Sequence, residues 1–443
     1  MPSPIVRLTG LALTLACATA TVPAQTPLPH GLKAGKPFAG QTVRVLAVET
    51  PQFQGLQLRD AEFTELTGIK VDWNFTPFKA LQEKIASTGA AKSSEFDVIN
   101  FMDAWGPPNA YWLTPLAPLA QRDGLDLKRY PPGFLDGSSF DGKLLGLPMR
   151  GHAQLFFYRK DLFDKLGLKA PATWDDVVAA GQKIREAKLG VAPLACYYGA
   201  DGNRQNLFLW ANFLWGAGAE VLDKKGQPAW TTPQAVKATE DYVGLHTRHK
   251  LCGDGAVSNT EQDARVSFAQ GKVAMIPVWW WFYSAAINPK DSVLRADQVA
   301  FTAMPGYAGK PAVTLVNVHA WARSSYSTRK DAAWEFLKWA SNPALEKRNA
   351  IERSVAGKTI VNNVVVQVAN MRDAEINRAN SGVPGIGAAS LEHSRMLPMI
   401  PVWPEVGDAL SQAINKAAGG GEVKALLDAA AGDSQRALRR GAR

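Results

Sequence analysis

Short β-branched segments alternate with segments of helical periodicity through much of the first quarter of the chain. Residues 42–48 (TVRVLAV), 69–75 and 96–101 (FDVINF) predict strands, because they are too short and too rich in branched side chains for helices. Residues 56–66 and 78–87 carry apolar side chains at helical spacing. This alternation is typical of a parallel sheet that is covered by helices on both faces.

The same alternation resumes in the middle of the chain. Further strands are predicted at residues 153–158, 273–278, 299–303 and 313–322. Helices are predicted at residues 174–187, with Thr173 as N-cap, and at 206–215, 233–249, 262–270 and 330–340. From residue 343 the chain is alanine-rich and predicts mostly helix. Two α/β lobes joined by more than one crossing segment fit this order, with a ligand at the carboxyl ends of the strands.

The N-terminal segment has the features of an export signal. Arg7 supplies a positive charge, and the apolar run at residues 8–20 is too short to span a bilayer. Because residues 22–24 place small side chains at a cleavage point, we expect a signal peptide at residues 1–24 and a periplasmic mature chain. Two alternatives stay open, a lipid anchor at Cys17 and a buried N-terminal helix.

The chain is basic, with a formal net charge of +9 from 49 basic and 40 acidic residues. No basic run interleaves with aromatic residues, so the charge does not support a nucleic-acid groove. The longest basic cluster lies at the C-terminus, and we interpret it as a solvated tail.

Removal of the signal peptide would leave two cysteines, Cys196 and Cys252. An oxidising compartment permits a single disulfide between them. Buried free thiols are the alternative. The sequence does not choose between the two, because it does not give the distance that separates the cysteines.

Seven stretches follow one another in an order that is typical of one protein family. They are residues 63–71 (FTELTGIKV), 96–98 (FDV), 112–116 (WLTPL), 141–148 (DGKLLGLP), 157–168 (FYRKDLFDKLGL), 268–275 (FAQGKVAM) and 331–339 (DAAWEFLKW). Each stretch alone is weakly specific, whereas all of them in this order are highly specific. The sequence resembles the family 1 extracellular solute-binding proteins of bacterial ABC importers over nearly the whole mature chain, in particular the sugar and sugar-alcohol binders.

The resemblance implies an α/β, two-lobed fold of the type II periplasmic-binding-protein class, with the ligand cleft between the lobes. One lobe would comprise residues 25–149 and 300–342, and the other residues 150–299 and 343–443. The resemblance also implies a monomeric binding protein without cofactor or metal rather than an enzyme. Such a protein closes on a sugar or sugar alcohol and delivers it to the permease subunits of an ABC transporter.

A neutral polyol needs aromatic rings against its C–H faces and polar side chains at its hydroxyls. Asp103 and Trp105 directly follow the third predicted strand, in a loop that the family often uses. Arg150 and His152 lie where the chain should cross between lobes, and Gly151 between them lets the backbone approach closely. We expect these four side chains to contact the ligand.

Further candidates come from other strand ends and from the family's motifs. They are Phe53 after the first strand, Trp280 or Trp281 after the strand that crosses back, His319 and Trp321 on one face of a predicted strand, Arg353 in a stretch similar to the family's P-x-R-x-S, and Trp403. Since neighbours on an extended chain alternate faces, Trp280 should point away from Trp279 and Trp281. Which of the two sides meets the ligand stays open.

Two other classes of function stay open. A secreted glycosidase would need two carboxylates at a defined separation, and the sequence does not show that any two of its aspartates face each other. No HExxH, CxxC or G-x-S-x-G string is present, and the six histidines show no metal-ligand spacing. The other alternative is a solute-binding protein for a non-carbohydrate ligand. A polyamine site, for instance, would need several carboxylates in the cleft.

Overall fold

The computed structural model describes residues 31–201, 203–355, 357–359 and 364–441. The expected signal peptide, residues 1–24, and the alternative anchor residue Cys17 lie outside these ranges. None of the described helices combines the length and the apolar character that crossing a membrane requires.

The strands are β1 (Thr42–Val48), β2 (Lys70–Thr76), β3 (Val98–Met102), β4 (Ser139–Phe140), β5 (Lys143–Leu144), β6 (Leu147–Arg159), β7 (Ala192–Leu194), β8 (Val273–Trp279), β9 (Val299–Ala303), β10 (Thr314–Arg323), β11 (Ser354–Val355), β12 (Lys358–Thr359) and β13 (Ser394–Arg395). The helices are α1 (Pro51–Gln57), α2 (Asp60–Thr67), α3 (Phe78–Ala90), α4 (Gly106–Asn109), α5 (Ala117–Arg122), α6 (Pro132–Gly137), α7 (Lys160–Lys165), α8 (Trp174–Glu186), α9 (Asn206–Gly216), α10 (Pro233–Thr247), α11 (Glu261–Ala269), α12 (Phe282–Ala286), α13 (Lys330–Ala340), α14 (Pro343–Ile351), α15 (Val368–Arg372), α16 (Ala374–Ala379), α17 (Val383–Ser390), α18 (Trp403–Ala418) and α19 (Val423–Gly441).

The main sheet has the strand order β2-β1-β3-β10-β6-β8-β7, with β9 paired to β6 and β13 to β10. β1 is parallel to β2 and to β3, as the alternation of strands and helices predicts. β10 is antiparallel to both β3 and β6, so the sheet is mixed rather than purely parallel. Parallel and antiparallel pairs occur together because β6 leads away from β1, β2 and β3, and β10 brings the chain back between β3 and β6 in the opposite direction.

β6 is long enough to belong to both halves of the sheet. Its residues 147–153 pair with β10, whereas residues 154–158 pair with β8 and residues 155–159 with β9. We call β2, β1, β3 and β10 the first half of the sheet, and β8, β7 and β9 the second half. The change of partner within β6 marks where the chain passes from one half to the other.

The expected helix at residues 56–66 is divided into α1 and α2. At Arg59, between them, the backbone leaves the helical region, with φ −111° and ψ 2°. The buried guanidinium of Arg59 donates to Asn349 Oδ1 at 2.5 Å and pairs with Glu352. Because both partners lie on or just after α14, a long-range contact that local periodicity does not encode accounts for the break.

Elsewhere the local signals agree with the structure. Thr173 caps α8 as predicted, since its Oγ1 accepts from the backbone N–H of Asp176 at 3.1 Å. The Asp176 carboxylate in turn accepts from the backbone N–H of Thr173 at 2.9 Å, which completes a capping box. α8 therefore begins where its first unpaired N–H groups find side-chain acceptors.

The helices that follow β10 cover both halves of the sheet. α14 lies against α2, where Arg348 and Glu62 form an ion pair in addition to the contacts of Arg59. α18 and α19 pack on each other and on α10, and α18 also packs on α9. The C-terminal part of the chain is therefore divided between the two halves.

Cys196 and Cys252 form a disulfide, with their Cα atoms 5.5 Å apart. Cys196 follows β7, and Cys252 lies in the segment after α10, where it forms a β-bridge with Leu194. Of the two alternatives that the sequence left open, the structure selects the bridge.

Replacing both cysteines, Cys196→Ser with Cys252→Ser, should lower the free energy of unfolding by about 2–4 kcal/mol. The bond joins residues 56 positions apart, so its loss gives the unfolded chain more conformational freedom. Urea unfolding followed by tryptophan fluorescence measures the change, and reduction of the unaltered chain should have the same effect. A change below about 0.5 kcal/mol, as for an ordinary surface substitution, would contradict the prediction.

Candidate functional site

A cavity of about 540 Å³ lies between the two halves of the sheet. Part of its wall lies at the ends of β1, β2 and β3, as expected at the carboxyl ends of parallel strands. The facing wall comes from α11, β8 and α12. The wall includes Thr50, Gln52, Phe78, Met102, Arg150, His152, Phe208, Glu261, Arg265, Trp279, Trp281, Asn317 and His319. Its volume lies in the range of small-molecule sites.

Four polar side chains of the wall come from the central strand pair, β6 and β10. Arg150 lies opposite His319 in the register, and His152 lies opposite Asn317. Residues two positions apart on a strand share one face of the sheet, and so do residues opposite each other on neighbouring strands. The pairing of β6 with β10 therefore gathers all four side chains on the cavity face.

A β-bulge at Met149 immediately precedes this group, where the ladder between β6 and β10 shifts register. Bulges re-aim the side chains beside them, and beyond this one Arg150 and His152 face the cavity. Gly151 points the opposite way, where an added Cβ would lie 2.4 Å from the ring of Phe134. As the sequence predicts, glycine at position 151 allows close packing against the backbone, and the element that packs there is α6.

His319 is a neutral imidazole held in one orientation. Arg150 Nη1, which can only donate, lies 3.2 Å from His319 Nε2, so this nitrogen accepts. Asn100 Nδ2 donates to the Ala320 carbonyl at 3.3 Å, which leaves Asn100 Oδ1 to accept from His319 Nδ1 at 3.3 Å. Burial, and then the charge of Arg150, holds the pKa of His319 well below its ordinary value.

His152 is neutral for the same reasons. Burial, the charge of Arg150 and the proximity of His319 hold its pKa well below the ordinary value. Its ring packs edge-on against Trp279, with 4.7 Å between the centroids. Nδ1 of His152 makes no hydrogen bond within the part of the chain that the structure describes.

α11 brings an ion pair with a buried carboxylate into the facing wall. Arg265 Nε lies 3.2 Å from Glu261 Oε1, one helical turn earlier. Trp279 Nε1 donates to the other oxygen of Glu261 at 2.9 Å. The ring of Trp281 is close to two guanidinium groups, at 4.9 Å from Arg265 and 5.3 Å from Arg150. These contacts connect the two walls of the cavity.

Several buried polar atoms of the wall make no hydrogen bond within the described residues. They are Thr50 Oγ1, Gln52 Oε1, Arg150 Nε, His152 Nδ1, Trp281 Nε1 and Arg265 Nε, the last of which is in ion-pair contact with Glu261. Each such atom costs about 1–3 kcal/mol if it stays unpaired. Aromatic rings of Phe78, Phe208, Trp279 and Trp281 lie in the same wall. The cavity therefore matches a ligand that has both hydrogen-bonding groups and apolar faces.

The three consecutive tryptophans alternate sides, as an extended backbone predicts. Trp279 and Trp281 line the cavity. Trp280 packs in the opposite direction against α17, where a Cβ added to Gly387 would lie 1.7 Å from the ring. Tertiary packing thus determines which of the tryptophans face the cavity, a question that the sequence left open.

Three other candidates, Asp103, Trp105 and Trp403, line a void of about 20 Å³ that adjoins the cavity. The two spaces share Met102, Phe208 and Asn317 in their walls. The void is much smaller than a monosaccharide. These three side chains therefore lie behind the wall of the main cavity.

The carboxylate of Asp103 is bound by the protein itself. Its two oxygens accept from the backbone N–H groups of Val318 at 3.1 Å and Ala104 at 2.6 Å. Burial raises the pKa of Asp103 to about 7, against the opposing effect of these two hydrogen bonds. Asp103 thus ties the end of β3 to β10.

Four sequence-predicted residues, Phe53, Trp280, Trp321 and Arg353, line neither space. Phe53 covers Trp321 edge-on, with 4.9 Å between centroids, so both belong to the core beside the cavity. Arg353 donates to the Ala379 carbonyl and to Asn380 Oδ1 at the end of α16. Trp321 shares the face of His319 along β10, but packing on α1 removes it from the cavity.

Several residues of the wall were not among the candidates from the sequence, among them Gln52, Phe208 and Arg265. Gln52 carried a signal, because it follows β1 as Asp103 follows β3. Phe208 and Arg265 lie inside predicted helices, and no local pattern distinguishes them from other helical positions. They line the cavity only because the two halves of the sheet face each other.

A polar contact at the small void joins α3 to the segment that precedes α9. Gln82 Oε1 on α3 accepts from Asn203 Nδ2 at 3.2 Å and from Arg204 Nη2 at 3.0 Å. Both donors precede α9 and have positive φ, 55° and 65°, which costs a non-glycine residue on the order of 1–3 kcal/mol. Asp408 on α18 pairs with Arg204 at 2.7 Å. We call this group the Gln82 contact.

Residues 47–347 match the family model described as bacterial extracellular solute-binding protein. A putative binding protein of Brucella abortus is 27% identical over 403 residues, which cover 88% of this chain and 90% of that protein. A mannitol-binding protein of Pseudomonas aeruginosa is 28% identical over 297 residues, which cover 65% of this chain and 66% of that protein.

A solved structure is similar in three dimensions. An ABC transporter solute-binding protein from Agrobacterium vitis S4, with bound D-mannitol, matches with a TM-score of 0.77 and 25% identity. The match covers 90% of this chain and 99% of that chain. The α/β, two-lobed fold that the sequence predicted is confirmed, and the chain belongs to the bacterial extracellular solute-binding protein family.

Proposed function

We propose that the chain is the extracytoplasmic substrate-binding component of an ABC importer, which captures a sugar or sugar alcohol and delivers it to the membrane permease. The observation that carries the proposal is the composition of the cavity wall. Unpaired polar atoms of Thr50, Gln52 and His152 lie among aromatic rings. A polyol supplies hydroxyls to the polar atoms and C–H faces to the rings.

Two of the similar proteins support this class of ligand. The relative from P. aeruginosa is a mannitol-binding protein, and the structure from A. vitis contains D-mannitol. Identities of 28% and 25% support a class of ligand rather than mannitol itself.

The strand pairing and helix packing support a revised division into lobes. β6 changes partner after residue 153, which agrees with a first crossing near residue 150. β9 pairs with the second half, and Gly306 forms a bridge with Thr173. We therefore assign residues 299–312 to the second lobe, and residues 313–352, which include α13 and the α14 that packs on α2, to the first.

Closure of the two lobes follows from the position of the wall residues. In this division Gln52 belongs to the first lobe and Arg150 to the first lobe or the hinge, whereas Arg265 and Trp281 belong to the second lobe. A ligand contacts both sides only when the lobes are closed, so its differential affinity favours the closed state. The permease would then bind the closed form.

Two buried carboxylates, Asp103 behind the cavity wall and Glu261 in it, support binding rather than hydrolysis. Asp103 is bound by backbone amides, and Glu261 is bound by Arg265 and Trp279. A glycosidase needs two carboxylates placed across the bond that it cleaves. Arg150 and Arg265 in the wall also oppose a polyamine ligand.

We place the mature chain in the periplasm, as a monomer that needs neither a cofactor nor a nucleic-acid partner. The export signal predicted at residues 1–24 and the disulfide support this location, because disulfides persist in oxidising compartments. The family's extracellular role agrees with it.

Ligand affinity should depend on Trp281 and His152. Trp281→Ala removes an aromatic face of the cavity and His152→Ala removes an unpaired buried nitrogen, so each should weaken binding by about 10–100-fold. Isothermal titration with the tightest ligand from a panel of sugars and sugar alcohols measures the change. Tyr111→Ala, at a side chain that is 65% exposed, should leave the affinity unaltered. Unchanged affinity in both cavity variants would show that the ligand binds elsewhere.

The Gln82 contact should stabilise the closed state. Gln82→Ala removes the acceptor shared by Asn203 and Arg204, and should weaken ligand binding by about 3–10-fold, as expected for loss of about 1 kcal/mol of hydrogen bonding. Most of the change should appear as faster ligand release in stopped-flow tryptophan fluorescence. Glu83→Ala, at the exposed neighbouring position on α3, is the control. Equal release rates for the two variants would refute a role in closure.

A further inference from the structure

Arg150 is a buried cation without an ion-pair partner among the described residues. Its side chain is 5% exposed, and burial lowers its pKa to about 9, so the group stays charged at neutral pH. Among the described residues, its guanidinium contacts the neutral ring of His319 at 3.2 Å and the face of Trp281 at 5.3 Å. Glu261 acts on Arg150 only through space, since its oxygens are bound by Arg265 and Trp279.

The buried part of the cavity wall therefore holds one unbalanced positive charge. Arg265 is balanced by Glu261, and the two histidines of the wall are neutral. The remaining carboxylates of the wall, Glu49 and Asp291, are exposed, where water screens their charge. Among the described residues of the wall, Arg150 is thus the buried charge without a paired carboxylate.

An uncompensated buried cation is costly, because it has lost its hydration without gaining a counter-charge. One edge of the guanidinium has no hydrogen-bond partner within the described part of the chain. Nη1 contacts His319, whereas Nε makes no hydrogen bond within the described part of the chain. Nε and Nη2 form the side of the planar fork that matches the two oxygens of a carboxylate.

We propose that the ligand of this cavity carries a carboxylate, as in an aldonic or uronic acid, and that Arg150 binds it. The proposal rests on the proposed function and narrows it to acidic sugars and acidic polyols. Thr50, Gln52 and His152 remain for the hydroxyl groups. The charge of the site also favours a carboxylate over a phosphate as the anionic group of the ligand. One unbalanced positive charge matches a monoanion, whereas a phosphate ester carries close to two negative charges at neutral pH.

Matched pairs of ligands test the proposal on the purified chain. Each pair joins a neutral compound to its acid: D-mannitol with D-mannonate, D-glucose with D-glucuronate, D-galactose with D-galacturonate, and the four- and five-carbon polyols with their aldonates. Isothermal titration at pH 7.5 and 0.1 M salt should show the acid of the tightest pair binding at least about 10-fold more tightly, as expected for a charge-assisted hydrogen bond. Neutral members that bind as tightly as their acids, or more tightly, would overturn the proposal.

An arginine variant with a matched control assigns the preference to Arg150. Arg150→Gln should reduce the ratio of acid affinity to neutral affinity to about one, whereas Arg295→Gln, at an exposed arginine paired with Asp297, should keep the parent ratio. A preserved ratio in Arg150→Gln would overturn the assignment.

The thermal stability of the unliganded protein is an independent measurement that does not require a ligand. Arg150→Gln removes an unbalanced buried charge, so this variant should melt at or above the temperature of the parent. A large fall in the melting temperature would mean that Arg150 is already compensated within the fold, and would also overturn the proposal.

The failure of this inference can be distinguished from the failure of the proposed function. If a neutral sugar or polyol binds and its acid does not, the carboxylate is excluded while sugar capture stands. If no member of any pair binds, and a thermal-shift screen finds an amine or a peptide instead, both proposals fail.

Discussion

The pairing of β6 with β10 is the interaction on which the rest of the structure depends. These strands lie side by side at the centre of the sheet and join its two halves. Their register also determines which of their side chains line the cavity, because it places Arg150 opposite His319 and His152 opposite Asn317. A slip of one residue would turn each of these side chains to the other face. The same hydrogen bonds therefore hold the two halves together and orient the polar groups of the site.

The site is built from groups that the protein alone does not satisfy. Its two histidines are neutral because burial and a neighbouring guanidinium oppose their charged forms. Within the described residues, Arg150 has no counter-ion, and other polar atoms in the wall lack hydrogen-bond partners. The surrounding core, with the disulfide and the packing of α18 and α19, offsets this cost. A ligand that supplies hydrogen-bond partners for these polar groups therefore gains binding free energy from them.

Much of the fold could be predicted from local pattern. The strands at residues 42–48 and 299–303, the helix at residues 330–340 and the Thr173 cap agree with the structure because short-range periodicity and capping determine them. The break at Arg59 could not be predicted, since it depends on partners about 290 positions away. For the site, the structure places Arg150, His152, Trp281 and His319 in the cavity wall, whereas Phe53 and Trp321 pack on each other in the core.

The sequence by itself determined the α/β class, the parallel strands at the start of the sheet, the alternation of the three tryptophans and the family resemblance. All of these depend on neighbours within a few residues, or on the order of motifs along the chain. Only the tertiary structure decided that Trp279 and Trp281 face the cavity and Trp280 does not, that Cys196 meets Cys252, and that no described carboxylate pairs with Arg150. The physical reason is that burial, partners and charge balance depend on segments brought together from distant parts of the chain, which local sequence pattern does not encode.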